Sequence, residues 1–195
     1  MNNGTERDRA PVEHFERLAR ESADPWDYAT SEYEQGKYRA TLAHLPERTG
    51  QTLELGCSVG VFTAMLAPRA SHLVAVDFSP TALARAADRL AGFENVELLR
   101  RRLPEEMPVG PFETIVCAEV LYYWSADLVE EGVARMEAAL APGGTLLAVH
   151  WRHPDPRREL IGDDVHAILD EATSLVLDAS RTTPDYLIDR WRANG

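Results

Sequence analysis

The stretch Thr52-Leu-Glu-Leu-Gly-Cys-Ser-Val-Gly60 is a short apolar run that closes on glycine turn chemistry. A second run, Leu73-Val-Ala-Val-Asp77, closes on a lone carboxylate. Gly56 and Gly60 mark a place where the chain turns sharply and lets a ligand approach its backbone. In doubly wound sheets a carboxylate about 20 residues beyond such a turn receives the ribose hydroxyls of an adenosine ligand. Asp77 stands at about that spacing, so two strand ends point to one adenosine-bearing cofactor.

The first turn decides between adenosine ligands. A dinucleotide fold uses G-x-G-x-x-G and seats pyrophosphate on a helix N-terminus. Here the spacing is Gly56-x-x-x-Gly60, with Glu54 two residues ahead of the first glycine. A carboxylate there repels pyrophosphate but suits a ligand carrying an ammonium and a sulfonium. The chain also contains no G-x-x-x-x-G-K-[ST] phosphate loop. S-adenosylmethionine (SAM) is the better match, with S-adenosylhomocysteine (SAH) as its product.

These residues resemble the first two motifs of class I SAM-dependent methyltransferases. Phe112-Glu-Thr-Ile-Val-Cys-Ala-Glu119 is similar to their fourth strand, and Leu140-Ala-Pro-Gly-Gly144 to the turn before the fifth. More narrowly, Asp24-Pro-Trp26, Tyr33-Glu34, Lys37-Tyr38, Gly56-Cys-Ser58, Ala118-Glu-Val-Leu-Tyr-Tyr123 and His150-Trp-Arg152 resemble the nodulation protein S (NodS) group. The resemblance runs from about residue 20 to the C-terminus. It implies N-methylation of a free amine on a glucosamine oligosaccharide. One departure stands out: relatives often place an acid after the third strand to receive the adenine amino group, and this chain has Arg102 there. The Leu103 amide, or Glu105, is then left to read the ring.

The 195 residues, 45% hydrophobic and 27% charged, suit one globular domain with one substantial core. No apolar run approaches the roughly 18 residues of a membrane span, and Met1-Asn-Asn-Gly-Thr lacks the apolar core of a signal peptide. Cys57 and Cys117 read as reduced residues of a cytoplasmic protein, not a disulfide or metal framework. The net charge of −12 argues against nucleic acid, which is held by clustered Lys and Arg. The one basic run, Arg100-Arg-Arg102, is flanked by Glu97, Glu105 and Glu106.

Periodicity predicts helices over Pro11 to Glu21, Ser31 to Leu45, Val59 to Leu66, a stretch opened by Ser79-Pro80, Ser125 to Leu140, and Asp163 to Ala172. Strands are expected over 52–55, 72–77, 95–99, 113–120, 145–151, 174–179 and 185–191. The alternation gives an α/β doubly wound, seven-stranded, mostly parallel Rossmann-like sheet that closes on an antiparallel C-terminal hairpin. Residues 1–50 are expected to form a helical lid on a cofactor-binding core over 51–195, within one structural domain.

The residues expected to hold cofactor are Glu54, Gly56, Cys57, Gly60, Asp77, Phe78, Leu103 and Glu119. The catalytic candidates are Glu119, Tyr122 and His150. Glu119 is placed to hold an ammonium and help remove its proton. His150 titrates near neutrality without tuning; because it alternates with Trp151 along a strand, only one of the two faces the pocket, and His150 is the expected one. His166 reads as structural, and the histidines make no metal site. The expected activity is methyl transfer to a small-molecule acceptor, foremost a sugar amine. O-methylation and cofactor binding without catalysis are the alternatives, and a nicotinamide oxidoreductase is a distant one. The chain is expected to act as a monomer or homodimer.

Overall fold

The computed structural model describes residues 12–194, so Pro11, expected to open the first helix, lies outside them. Seven strands run β1 Gly50–Leu55, β2 Ala70–Asp77, β3 Val96–Arg100, β4 Phe112–Ala118, β5 Leu140–Trp151, β6 Val176–Thr182 and β7 Tyr186–Arg192. They form one sheet in the order β3-β2-β1-β4-β5-β7-β6. The first five are parallel, and β7 inserts antiparallel between β5 and β6. Among the described residues six α-helices accompany them: α1 Val12–Glu21, α2 Glu32–His44, α3 Val61–Leu66, α4 Pro80–Leu90, α5 Ala126–Ala139 and α6 Gly162–Ala172. This is the doubly wound, mostly parallel seven-stranded sheet with an antiparallel C-terminal hairpin expected from the sequence.

The central strands are apolar at consecutive positions because both faces of the sheet are covered. Ile115 and Cys117 point into one core with Leu146, Val129 and Met136, below α5 and α6. Val116 points into the other with Leu147, Phe62 and Leu66, below α2, α3 and α4. The helix starts follow cap chemistry: Ser31, Ser79 and Ser125 each accept from the amide three residues on, and Pro80 occupies the first turn of α4.

Several element boundaries depart from the sequence expectation. α5 ends at Ala139 and β5 begins at once at Leu140, so Pro142-Gly-Gly144 is an irregular lead-in to the strand, with a register break against β4 and Gly143 at φ +71. β6 continues to Thr182, which shortens the final hairpin connection. Single 3₁₀ turns at Ala67–Arg69 and Leu121–Tyr123 were not anticipated, since one helical turn leaves no periodic signal.

The N-terminal helices share the main core. Tyr38 and Leu42 of α2 pack with Phe62 and Ile188, and Arg190 donates to the carbonyl of His44 at 2.7 Å. On α1, Glu16 accepts from Ser79 Oγ at 2.6 Å and from the Thr81 hydroxyl, tying α1 to the start of α4. No helix among the described residues is long and apolar enough to cross a membrane.

Gly60, in the left-handed region at φ +77, is where α3 meets α4: an added Cβ would lie 3.1 Å from Ala86 Cβ and 3.2 Å from Ala86 Cα. Gly60→Ala is expected to lower stability by about 1–3 kcal/mol, measured by urea unfolding.

Candidate functional site

A cleft of about 480 Å³ opens at the carboxyl ends of the parallel strands, the ligand edge of doubly wound sheets, and its volume suits a small molecule. Loops after β1, β2 and β3 supply Gly56, Ser58, Asp77, Phe78, Arg102 and Leu103. Loops after β4 and β5 supply Glu119, Tyr122, Tyr123, Trp151, Arg157 and Arg158. The N-terminal segment roofs both halves with Phe15, Trp26, Tyr28 and Tyr33. Phe15 alone contacts Phe78, Trp26 and Tyr123, with ring centroids 5.9, 6.3 and 4.8 Å apart.

In the first half the chain turns through left-handed backbone at Gly56 (φ +75) and Ser58 (φ +48). A Cβ on Gly56 would lie 2.3 Å from Val120 Cγ2, so only glycine lets the turn lie this close to the loop after β4. Asp77 takes the Ser58 amide on Oδ2 at 2.9 Å and the Ser79 amide on Oδ1 at 2.8 Å. Burial raises its carboxyl, against the pull of those amides. The Phe78 amide acts on the same carboxylate, which with about four acceptor sites keeps capacity for a hydroxyl donor. Phe78 and Leu103 line the same wall, whereas Glu105 is not among the lining residues.

Three expected cofactor residues do not line the cleft. Gly60 packs on α4, as described above. Cys57 is buried and does not line the cleft; Cys117 is buried too, and both are free thiols. Glu54 sits beneath the turn, 4% exposed, with Oε2 buried and without a partner. Burial pushes its carboxyl up to about 7, against a weaker pull from Thr63. An orphaned buried acceptor below a glycine turn fits a ligand that brings positive charge.

The second half centres on Glu119, which follows β4 directly in left-handed backbone at φ +60. Its Oε1 accepts from Lys37 Nζ at 2.7 Å, and its Oε2 accepts from the Tyr122 hydroxyl and from the Trp151 amide at 3.1 Å. Lys37, only 4% exposed, also pairs with Glu34 at 3.0 Å. Burial alone would depress the Lys37 ammonium; Glu119 and Glu34 overcome it and hold the pKa above its ordinary value. Burial raises the Glu34 carboxyl, with Lys37 opposing. Tyr122 is buried, and burial followed by Glu119 keeps its hydroxyl protonated.

His150 is a correction. It is fully buried and does not line the cleft; Trp151 does. Alternation along the strand was right and its phase was the reverse of that expected. The Leu121 amide donates to His150 Nε2 at 3.3 Å. Nδ1 therefore carries the proton, toward His166 Nε2 at 3.1 Å, and His166 Nδ1 donates to Asp189 at 2.6 Å. Burial first, and His166 second, hold the His150 pKa well below its ordinary value. The imidazole stays neutral and anchors the 3₁₀ turn that carries Tyr122. His166 is structural, as expected.

Sequence reasoning placed Glu34 and Lys37 in a motif without assigning them to Glu119, and it missed Arg157 and Arg158. The Glu34/Lys37 spacing on one helix face was the available signal; the loop arginines left none.

A family model described as nodulation protein S (NodS) matches residues 10–161. Nodulation protein S of Bradyrhizobium diazoefficiens is 36% identical over 142 residues, 69% of this chain and 67% of that one. The structure of the N-methyltransferase NodS from Bradyrhizobium japonicum WM9 in complex with SAH superposes with a TM-score of 0.83 at 26% identity, over 94% of this chain and 98% of that one. A putative methyltransferase from Pseudomonas syringae is 38% identical with a TM-score of 0.72, over 83% and 99%.

The raised Glu54 pKa has a sign that can be checked. The folded state binds this proton more tightly than the unfolded chain, so stability falls as pH rises from about 4.5 to about 7 and then levels. Glu54→Gln is expected to remove that slope, to gain about 1–3 kcal/mol at pH 8, and to weaken SAH binding, as read by denaturant melts across pH and by calorimetry.

Proposed function

The chain belongs to the NodS family and is a SAM-dependent methyltransferase, and from that premise we propose that it N-methylates a primary amine, such as that of an aminosugar or oligosaccharide. The observation that carries this reading is the Glu34–Lys37–Glu119 cluster, in which two carboxylates share one ammonium. The cluster keeps one unmatched negative charge, and a protonated amine balances it.

Gly56, Asp77, Phe78 and Leu103 hold the cofactor, with Glu54 beneath them supplying charge. Asp77 receives the ribose hydroxyls and Phe78 packs on the adenine. When bound, SAM supplies an electrophilic methyl group on sulfur. In-line transfer then asks mainly for close, aligned placement. On Glu119, Oε2 is filled by Tyr122 and Trp151, while Oε1 holds Lys37 and keeps one lone pair. That lone pair receives an N–H of the acceptor and aims its nitrogen. Only a free lone pair attacks, and Glu34, made more basic by burial, takes the proton released. The aromatic roof of residues up to 50 acts as a lid that keeps water from the site.

Transfer to a hydroxyl or carboxylate would call on His150 as base, and its burial away from the cleft in a hydrogen-bonded line to Asp189 speaks against that route. The reduced cysteines suit a cytoplasmic enzyme.

Glu119→Gln keeps the shape of the side chain and removes its charge. It is expected to lower kcat for amine methylation about a hundredfold or more while SAH affinity stays within about twofold. Transfer from labelled SAM to a panel of primary amines, with calorimetry in parallel, measures both; near-normal turnover would remove Glu119 from the reaction.

A further inference from the structure

Arg158 stands apart from the other charged groups of the cleft. Its guanidinium carbon lies 3.8 Å from the centre of the Tyr122 ring, 5.0 Å from Tyr123 and 5.1 Å from Trp151. Nη2 donates to the Tyr123 hydroxyl at 3.2 Å. Nε and Nη1 are buried and have no partner, so three of the five N–H donors of an arginine are idle. Acids on the same walls are engaged elsewhere: Asp155 holds Arg157, and Glu119 holds Lys37, Tyr122 and the Trp151 amide. A ring face attracts a guanidinium without neutralising it. A buried charged donor left unmet is costly, which makes it a place where a ligand is expected to supply the missing acceptor.

Tyr122 joins this centre to the carboxylate cluster. Its hydroxyl touches Glu119 and its ring face touches Arg158. The acceptor half of the cleft is thus dipolar, with an unmatched negative charge at Glu34, Lys37 and Glu119 and an unmatched positive charge one tyrosine ring away.

We propose that Arg158 is a specificity-determining residue that binds an oxyanion of the acceptor, so that the preferred substrate is an amine that also carries a carboxylate or phosphate. The proposal rests on the amine reading above and narrows it: the ammonium end meets Glu119 and Glu34, and the oxyanion meets Nε and Nη1 of Arg158. Charge-assisted hydrogen bonds to an arginine are among the strong ones, and a matched zwitterion gains at both ends.

The test uses acceptors that differ by the oxyanion. Methyl transfer from labelled SAM is measured on glucosamine, on muramic acid, which adds a carboxylate, and on glucosamine 6-phosphate, with the methylated atom located by NMR. The expected result is N-methylation with kcat/KM about tenfold to a hundredfold higher for one of the acid-bearing compounds; the better of the two identifies the oxyanion. Arg158→Gln is expected to collapse that ratio toward one, while Tm holds and SAH still binds. If the glutamine variant loses Tm, Arg158→Lys, which keeps the charge with fewer donors, is expected to retain only part of the ratio. A ratio near one in the unaltered protein, or one that survives Arg158→Gln, overturns the oxyanion site and leaves the amine reading standing. Methyl found on oxygen overturns the amine reading itself. If no compound turns over, calorimetry on the SAH-loaded protein decides. Binding of an acid-bearing compound that Arg158→Gln abolishes supports the site, and absent or unaltered binding overturns it.

Discussion

Strands β1 and β4 lie side by side, and the chain leaves their carboxyl ends toward opposite faces of the sheet. After β1 it enters α3, whose Phe62 and Leu66 join one core; after β4 it reaches α5, whose Val129, Val133 and Met136 join the other. The two loops must diverge, and the crevice between them is where a ligand fits. Both divergent ends use left-handed backbone, at Gly56 and Ser58 on one side and Glu119 on the other. For Ser58 and Glu119 that conformation costs about 1–3 kcal/mol each, and the hydrogen bonds of Asp77 to the Ser58 amide and of Glu119 to Lys37, Tyr122 and Trp151 help offset it.

Behind the cleft lies a second layer of order. Asp189 on β7, His166 on α6 and His150 on β5 form a hydrogen-bonded line that ends on the Leu121 amide. Each donor in the line has one acceptor, so both imidazoles have a defined tautomer and can hold the 3₁₀ turn in one orientation. The C-terminal hairpin therefore does more than finish the sheet: through β7 it fixes the angle from which Tyr122 meets Glu119.

Features that depend on neighbours along the chain are legible in the sequence alone. The turn after β1, the carboxylate ending β2, the serine caps and the final antiparallel pair each follow from local backbone chemistry, and Glu119 is found because it stands at the C-terminal end of a recognisable strand pattern. Features set by distant partners are of another kind. Strand periodicity fixes that His150 and Trp151 face opposite ways, but the phase is set by which partner, α6 or the cleft, covers each face. Gly60 reads as a ligand contact because a close approach to α4 and a close approach to a cofactor demand the same absent side chain. Lys37 and Arg158 depend on contacts across 82 and 36 positions, the first to Glu119 and the second to Tyr122, and no spacing rule reaches that far.

The Lys37–Glu119 pair joins α2 to the end of β4 with both partners shielded from solvent. The group proposed to face the acceptor is thus also a clasp on the N-terminal helix α2. Removing one member of such a pair strands a charge where water does not reach it, which commonly costs more than the pair contributes. A change at 37 strands two carboxylates, Glu119 and Glu34, whereas a change at 119 leaves Lys37 with Glu34 alone. An exchange of Glu119 is therefore expected to call for a matching exchange on α2, where Lys37 and Glu34 lie, a helix remote in sequence from β4.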